Sequence, residues 1–446
     1  MSNPTYAEVE QALLARWPET RLEPSLDRIG ALCRLMGDPQ QSYPVVQLTG
    51  TNGKTSTGRM IDALLRARGL RTGRFTSPHL VSMTERISID GEPLSPELFV
   101  EAFADVAAYA QVVDDSQPHP LSFFELMVGM AYQAFADTPV DVAVVEVGMG
   151  GRWDATNVAD AQVAVVTPIA VDHARYLGDA PGDIAVEKAG IIKPGAQVVM
   201  AAQPEDAAAE IVARAVEVGA TLLREGADFG IEERVPGLGG QVLRLHGLGA
   251  TYDEVFLPLF GEHQARNASY ALAAVEALTG GKELDVELVR EAFGQVTSPG
   301  RLEVVRRSPT VLVDAAHNPA GMEASLAAVQ EAFAFTPLVA VLGVMADKEA
   351  DEMLAVLEPV AAEVVCTQNT SDRSLPAEEL ADLAEGIFGA DRVHRAPRLP
   401  DALETAVRLT ESARYGDAVG TGGVLVTGSV VTAGEARLLL SREETD

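Results

Sequence analysis

Between residues 45 and 56 the chain reads Val45-Val46-Gln47-Leu48-Thr49-Gly50-Thr51-Asn52-Gly53-Lys54-Thr55-Ser56. Val45 to Leu48 form a short β-branched and apolar run of the kind that makes a buried strand. A glycine turn follows, and then Met60, Ile61, Leu64 and Leu65 recur at helical spacing until Gly69 ends the helix. Strand, glycine turn, Gly-Lys-Thr and helix in that order describe a phosphate loop. Glycines let successive backbone N–H groups face phosphate oxygens, and the helix start adds its partial positive charge. Lys54 suits the β- and γ-phosphates and the Thr55 hydroxyl suits Mg²⁺. The longer form of this spacing is not fully met, and a plain strand-to-helix turn of small residues is the competing reading. The element order favours the phosphate loop, with Gly50, Thr51, Asn52, Gly53, Lys54, Thr55 and Ser56 as its members, so the chain is expected to bind a nucleoside triphosphate.

Outward from the loop, strand-like runs at Val140–Val147, Gln162–Val166 and Gln197–Ala201 alternate with helical patterns near Pro96–Val112, Phe123–Phe135 and Asp183–Ile191. That alternation predicts a mostly parallel sheet covered on both faces. From about Gly226 to Leu257 the pattern changes to short alternating runs with Gly-rich turns, which predicts antiparallel hairpins. Helices are expected near Glu262–Leu278 and Val286–Phe293, and Thr297-Ser298-Pro299-Gly300 suits a hinge. The alternation then restarts, with strands expected at Val311–Asp314, Leu338–Leu342, Glu363–Cys366 and Gly423–Thr427. Residues 1–297 and 298–446 are therefore expected to be two domains.

With 47% hydrophobic residues the 446-residue chain can build real cores, and its formal net charge of −31 argues against nucleic acid or anionic membrane as a partner. Cys33 and Cys366 cannot make a disulfide framework, the N-terminus does not read as a signal peptide, and no apolar run is long enough to span a bilayer. A cytoplasmic protein is expected, with monomer as the default state. Only five of the 34 basic residues are Lys (54, 188, 193, 282 and 348), so a Lys in this Arg-rich chain can mark a place where an amine is needed. Arg66, Arg68, Arg71 and Arg74 cluster within nine residues and read as a solvated helix end.

Gly50-Thr51-Asn52-Gly53-Lys54 resembles the ATP-dependent Mur ligase superfamily, and within it the folylpolyglutamate synthase/dihydrofolate synthase family. Further segments fit in the same order: Thr76-Ser77-Pro78-His79-Leu80, Glu146-Val147-Gly148-Met149-Gly150-Gly151-Arg152, Asp154-Ala155-Thr156-Asn157 and Asp172-His173. Glu187-Lys188-Ala189-Gly190-Ile191-Ile192-Lys193, His263-Gln264 with Asn267, Pro299-Gly300-Arg301 and Asp314-Ala315-Ala316-His317-Asn318-Pro319 complete the set. The resemblance implies an α/β fold, a P-loop mononucleotide-binding domain with a parallel sheet plus a smaller Rossmann-like C-terminal α/β domain that serves as the glutamate-ligase domain. Three departures stand out against the family pattern: Thr55, where many folate-ligase members have glycine before a serine and the muropeptide ligases are closer; Asp-Ala-Ala-His-Asn-Pro at 314–319; and Trp153 where a smaller apolar residue is commoner.

The same resemblance implies site residues. Thr55, Ser77, Glu146 and His173 look like magnesium ligands, although imidazole is an unusual partner for an oxygen-preferring ion. Lys188 looks like the lysine that reacts with CO₂ to give a carbamate, a reaction closed to Arg, and it would serve a second Mg²⁺. Asn267, Arg301 and Asp314 resemble further ATP contacts, and His317 joins Lys54, Lys188 and His173 as a catalytic candidate. The folate cleft would use Arg28, Ile29, Gly30, Ser122, Phe123, Phe124, Glu125, Trp153, Asp154 and Ala155, under a loop carrying His79 and Arg86.

The implied reaction is ATP-driven ligation of L-glutamate to dihydropteroate and to reduced folates through an acyl phosphate, with ATP and Mg²⁺ as cofactors and a monovalent cation left open. A single polyglutamylating activity is the nearest alternative. A muropeptide ligase is disfavoured because only about 49 residues precede the loop, too few for a UDP-binding domain. A non-ligase P-loop ATPase is disfavoured by the Asp314–Pro319 segment in a separate C-terminal block.

Overall fold

The computed structural model describes residues 4–18, 24–172, 174–412 and 422–443. The phosphate-loop strand, β1 (Val45–Thr49), lies inside an eight-stranded sheet. The other strands are β2 (Thr72–Phe75), β3 (Ile87–Ile89), β4 (Glu92–Pro93), β5 (Val142–Glu146), β6 (Val163–Val166), β7 (Gln197–Met200) and β8 (Thr221–Arg224), in the order β4-β3-β2-β5-β1-β6-β7-β8. β2, β5, β1, β6, β7 and β8 run parallel, and the β3–β4 hairpin closes one edge antiparallel. The chain leaves β1 toward β2 and β5 on one side, then crosses to β6 on the other. That reversal opens a crevice at the carboxyl ends of β5, β1 and β6, where open α/β sheets place their ligands.

Every residue of β1, β5 and β6 is buried, which is why these strands read as continuous apolar runs and not as alternating ones. One core holds Ile29, Leu32, Phe99, Leu126, Phe135 and Val145; another holds Val147, Val166, Ile184, Ile191 and Val198. The helix Lys54–Ala67 starts directly on the loop, with Gly53 at its N-cap in the left-handed region (φ 90°). A three-stranded antiparallel sheet follows, formed by β9 (Gly230–Gly237), β10 (Gly240–His246) and β11 (Thr251–Leu257), as the Gly-rich turns predict.

The chain divides into two compact units: unit 1 is Met1–Arg234, Val242–Leu257 and Gln264–Val296, and unit 2 is Val235–Gln241, Pro258–His263 and Thr297–Asp446. Unit 2 carries a six-stranded sheet of β12 (Glu303–Arg307), β13 (Thr310–Val313), β14 (Leu338–Leu342), β15 (Glu363–Gln368), β16 (Val393–Arg398) and β17 (Gly423–Thr427), ordered β12-β13-β17-β14-β15-β16. All pairs but the β12–β13 hairpin are parallel, so the expected α/β class holds in both units.

Two local expectations change. The helix expected over Asp183–Ile191 spans Pro181–Lys188 and tightens into a 3₁₀ turn at Ala189–Ile191. Arg66 and Arg71 are exposed as expected of a helix end, but Arg74 sits on β2 with 3% exposure. The run Thr72-Gly73-Arg74-Phe75 is too short and polar to announce a buried strand; pairing with β5 and β3 makes it one.

Candidate active site

The loop is built by close packing against the end of β6. Gly50 has φ 140°, and a Cβ there would lie 1.9 Å from Thr167 Oγ1 and 2.9 Å from the Thr167 carbonyl oxygen. No side chain fits, so only glycine lets the chain turn here. The Thr51 N–H donates to the Pro168 carbonyl (2.9 Å), and Thr51 Oγ1 donates to the Ala170 carbonyl (2.8 Å). A Cβ on Gly53 would come within 2.5 Å of Asn267 Oδ1, so Asn267, 214 residues later in sequence, borders the loop directly. Asn267 is buried and donates to Gln264 Oε1 (3.1 Å), while Gln264 Nε2 donates to Ser56 Oγ (3.4 Å).

Two lysines converge on one acceptor. Lys54 Nζ donates to the Gly50 carbonyl (2.9 Å) and the Thr51 carbonyl (3.1 Å), and Lys188 Nζ donates to the same Gly50 carbonyl (2.8 Å). Lys188 is only 5% exposed. Burial, with the like charge of Lys54 beside it, pushes its ammonium down from 10.5 to about 7, against the opposing pull of Asp172 and Asp154. Near neutral pH this side chain is therefore in large part a free amine, the nucleophilic form of lysine. The backbone N–H of Arg152 donates to the Glu187 carbonyl (2.9 Å) and ties the end of the Lys188 helix to the loop after β5.

Glu146 ends β5 and is 4% exposed. Its carboxylate accepts from Thr55 Oγ1 (2.9 Å) on one oxygen and from Thr76 Oγ1 on the other. The hydroxyl bonded to Glu146 from the β2 side is thus that of Thr76, which the sequence reading passed over for its half-buried neighbour Ser77. No group of three or more His, Cys, Asp or Glu side chains gathers among the described residues. One carboxylate with hydroxyls beside a phosphate loop still fits Mg²⁺, which keeps several waters and takes one or two carboxylates plus substrate phosphates. His173 lies outside the described residues.

The residues named for the folate cleft divide by what they touch. Arg28 donates to both oxygens of Glu125 through Nε (3.0 and 3.1 Å), and Ser122 and Glu125 form a capping box at the start of the Phe123–Asp137 helix. Ile29, Phe123 and Ala155 are buried in a core, with Gly30 half-buried next to Ile29. Asp154 is buried and gives both oxygens to the local turn, accepting from the N–H groups of Gly148, Met149 and Thr156. Phe124 and Trp153 are partly buried; Phe124 meets Phe75 edge to face and lies against Gly148, and Trp153 lies against Gly150. Arg86 Nε donates to His79 Nδ1 (2.9 Å), and the Arg86 guanidinium stands 4.9 Å from the centre of the Phe123 ring. Burial and that guanidinium push His79 down to about 4, so it is neutral at physiological pH.

In unit 2, Asp314 follows β13 and is buried. It accepts from Leu302 N (2.9 Å), Ala316 N (2.9 Å) and Ser325 Oγ (2.7 Å), so it clamps the turn that carries Arg301. His317 Nδ1 lies 3.0 Å from the Ala315 carbonyl, and Asn318 caps the helix Pro319–Ala332 by accepting from Gly321 N (2.8 Å).

A phosphate loop at the switch point of a parallel sheet, with a carboxylate and two lysines around it, defines a nucleotide-binding enzyme domain of the mononucleotide type. The Mur ligase middle domain matches residues 48–275, and the Mur ligase glutamate ligase domain matches residues 300–429. The dihydrofolate synthase/folylpolyglutamate synthase of Mycobacterium tuberculosis is 49% identical across 98% of this chain and 94% of its own. The folylpolyglutamate synthase structure from that organism, complexed with ADP and AMPPCP, superposes with TM-score 0.93 at 50% identity over 98% of both chains. Escherichia coli FolC in complex with DHPP and ADP gives TM-score 0.86 at 29% identity over 99% of both. The chain is an ATP-dependent ligase and belongs to the dihydrofolate synthase/folylpolyglutamate synthase family of Mur ligases.

Proposed function

We propose that this enzyme joins the amine of L-glutamate to the carboxylate of dihydropteroate, and then to the terminal carboxylate of reduced folates, at the expense of ATP. The observation that supports it most directly is the pair Lys54 and Lys188 on the Gly50 carbonyl, beside Glu146, in a chain so close to its relatives over its whole length. In this reading a carboxylate oxygen of the pterin substrate attacks the γ-phosphorus, the bond to ADP breaks, and an acyl phosphate forms. The glutamate amine then attacks the acyl carbon, inorganic phosphate leaves, and the amine loses a proton.

Lys54, whose Nζ lies on the loop carbonyls of Gly50 and Thr51, is assigned to meet the charge that builds on the β- and γ-phosphates. Gly50, Thr51, Asn52, Gly53, Thr55, Ser56 and Asn267 shape the nucleotide site in unit 1, and Arg301 and Asp314 are assigned to further ATP contacts. Mg²⁺, when bound, would polarise the phosphoryl oxygens and neutralise their charge; Thr55, Ser77, Glu146 and His173 are the residues assigned to hold it, with Thr76 orienting Glu146. The free amine of Lys188 would add to CO₂, forming an N–C bond and releasing a proton, and the resulting carbamate anion would be available to hold a second Mg²⁺. His317 remains a catalytic candidate in unit 2. Phe124 and Trp153 offer partly buried aromatic faces to a pterin ring, His79 and Arg86 cover it, and the Arg28–Glu125 pair, Ile29, Gly30, Ser122, Phe123, Asp154 and Ala155 form its frame. Residues 1–297 act as the ATP and folate domain and 298–446 as the glutamate-ligase domain. We assign no nucleic acid or membrane partner, and no helix among the described residues is long and apolar enough to cross a membrane.

The test is release of ADP from Mg-ATP with glutamate present, with dihydropteroate, tetrahydrofolate and a UDP-muramyl acceptor run in parallel. Glutamate-dependent turnover with both pterins supports the bifunctional ligase, and turnover with tetrahydrofolate alone reduces it to polyglutamylation. ATP loss indifferent to every acceptor overturns the ligase reading.

A further inference from the structure

One cluster of unit 1 has no part in the chemistry above. Arg59 lies one helical turn after Thr55, and Arg74 lies on β2 two residues before Thr76, so the two arginines form the layer directly below Glu146 and its hydroxyl partners, at roughly 6 Å along either element. Arg74 is 3% exposed, and it has one hydrogen bond, from Nη2 to Ser88 Oγ (3.0 Å). Its Nε and Nη1 are buried with no acceptor, which leaves three N–H bonds unmatched. Arg59, half-buried, has no side-chain ion pair or hydrogen bond among the described residues and sits close enough to Arg74 for the two cations to repel.

Three carboxylates surround the pair, and each is committed elsewhere. Asp62 accepts from Thr72 Oγ1 (2.5 Å) and Arg66 Nε (3.1 Å). Glu85 accepts the N–H groups of Leu80 (2.8 Å), Val81 (3.0 Å) and Ser82 (2.8 Å). Glu146 holds Thr55 and Thr76. A buried guanidinium whose nearby carboxylates are hydrogen-bonded to other groups, and whose own donors are unmatched, is a costly arrangement in a protein interior. Two side by side compound it, and a ligand that brings two acceptor oxygens removes the cost. Planar guanidinium forks are matched by carboxylate and phosphate oxygens.

We propose that Arg59 and Arg74 form an oxyanion site one turn below Glu146, with Arg59 at its mouth and the Nε–Nη1 edge of Arg74 at its floor. The carboxylate of free glutamate and inorganic phosphate are the two sources of such a group near this centre. The oxyanion site rests on these residues, and the choice of glutamate and phosphate as its ligands rests on the ligase reading.

The experiment follows thermal unfolding of the full chain, wild type, R59M and R74M, with saturating ADP to occupy the phosphate loop. Sodium L-glutamate and sodium phosphate are titrated separately at fixed ionic strength. At least one anion is expected to raise the wild-type midpoint, with its apparent affinity at least roughly tenfold weaker in each variant, as fits the loss of a charge-assisted donor pair. A response to glutamate alone identifies a carboxylate site, and one to phosphate alone a phosphate site. R74M is expected to be no less stable than the wild type without either anion, because an unpaired buried charge has gone. The proposal is overturned if neither anion moves the wild type, if both variants respond as the wild type does, or if R74M is strongly destabilised in anion-free buffer, which would mean that the protein itself holds the guanidinium. Stabilisation by ADP is expected in all three proteins; its absence from the wild type would strike the nucleotide reading instead.

Discussion

Replacing Lys188 with Met removes a buried charge while keeping most of the side chain's length. Lys188 is 5% exposed, its ammonium has one acceptor in the Gly50 carbonyl, and its pKa is pushed from 10.5 to about 7. A base whose pKa is lower folded than unfolded binds fewer protons when folded, at every pH between the two values. Unfolding then takes up a proton, so this group destabilises fully below about pH 7 and its penalty fades as pH rises toward 10.5. From 10.5 to about 7, at about 1.36 kcal/mol per pH unit, the full penalty is roughly 5 kcal/mol. By pH 9 about 2 kcal/mol of it remains. Met abolishes it and loses one hydrogen bond of about 1 kcal/mol. K188M is therefore expected to exceed the wild type by roughly 3–4 kcal/mol at pH 6.5 and by about 1 kcal/mol at pH 9, while losing the amine that we assign to carbamate formation and so most of its ligase activity. Urea unfolding in CO₂-free buffers measures this. Both tryptophans, Trp17 and Trp153, belong to unit 1, so their fluorescence reports the unit that contains Lys188. Stability curves for the two proteins that run parallel with pH, or a K188M that is the less stable at pH 6.5, would refute the reasoning.

Gly50→Ala places a methyl group 1.9 Å from Thr167 Oγ1 at φ 140° and should weaken ADP binding by more than roughly tenfold. Adding Thr167→Ala should not restore it, because the Thr167 carbonyl oxygen is still 2.9 Å away; calorimetric titration with ADP decides. Thr76→Val leaves one oxygen of Glu146 without its donor, at about 1–3 kcal/mol, and should raise the Mg²⁺ concentration needed for half-maximal ADP release several-fold. An unchanged Mg²⁺ curve would remove Thr76 from the site. His79, held down to about 4, is neutral in the folded protein while the unfolded chain takes up its proton near pH 6.5. Stability is thus lost as pH falls from 6.5 to about 4, and His79→Gln should show an acid loss smaller by about 2–3 kcal/mol at pH 4. Equal acid sensitivity in the two proteins would contradict the buried, neutral histidine.

What the sequence alone determined is local. The phosphate loop was legible because strand, glycine turn and helix start must follow one another within a dozen residues for the backbone N–H groups to converge. The α/β class was legible because a buried parallel strand needs an unbroken apolar run, as in Val45–Thr49 and Val142–Glu146. Family motifs, taken in order, named the ligase. The tertiary structure decided which distant groups share an environment. Lys188 is 138 positions from the Gly50 carbonyl that accepts from it, and its pKa depends on that burial and on Lys54. Glu146 met Thr76 because β2 pairs beside β5, a register that no spacing within either strand announces. The same pairing took Arg74, which in sequence looks like one more cation after a helix, and buried it. Hydrophobic period and turn chemistry are properties of neighbours along the chain, whereas desolvation and charge coupling belong to neighbours in space. Strand order at the switch point sets those neighbours, and so settles which carboxylates, lysines and arginines stand together.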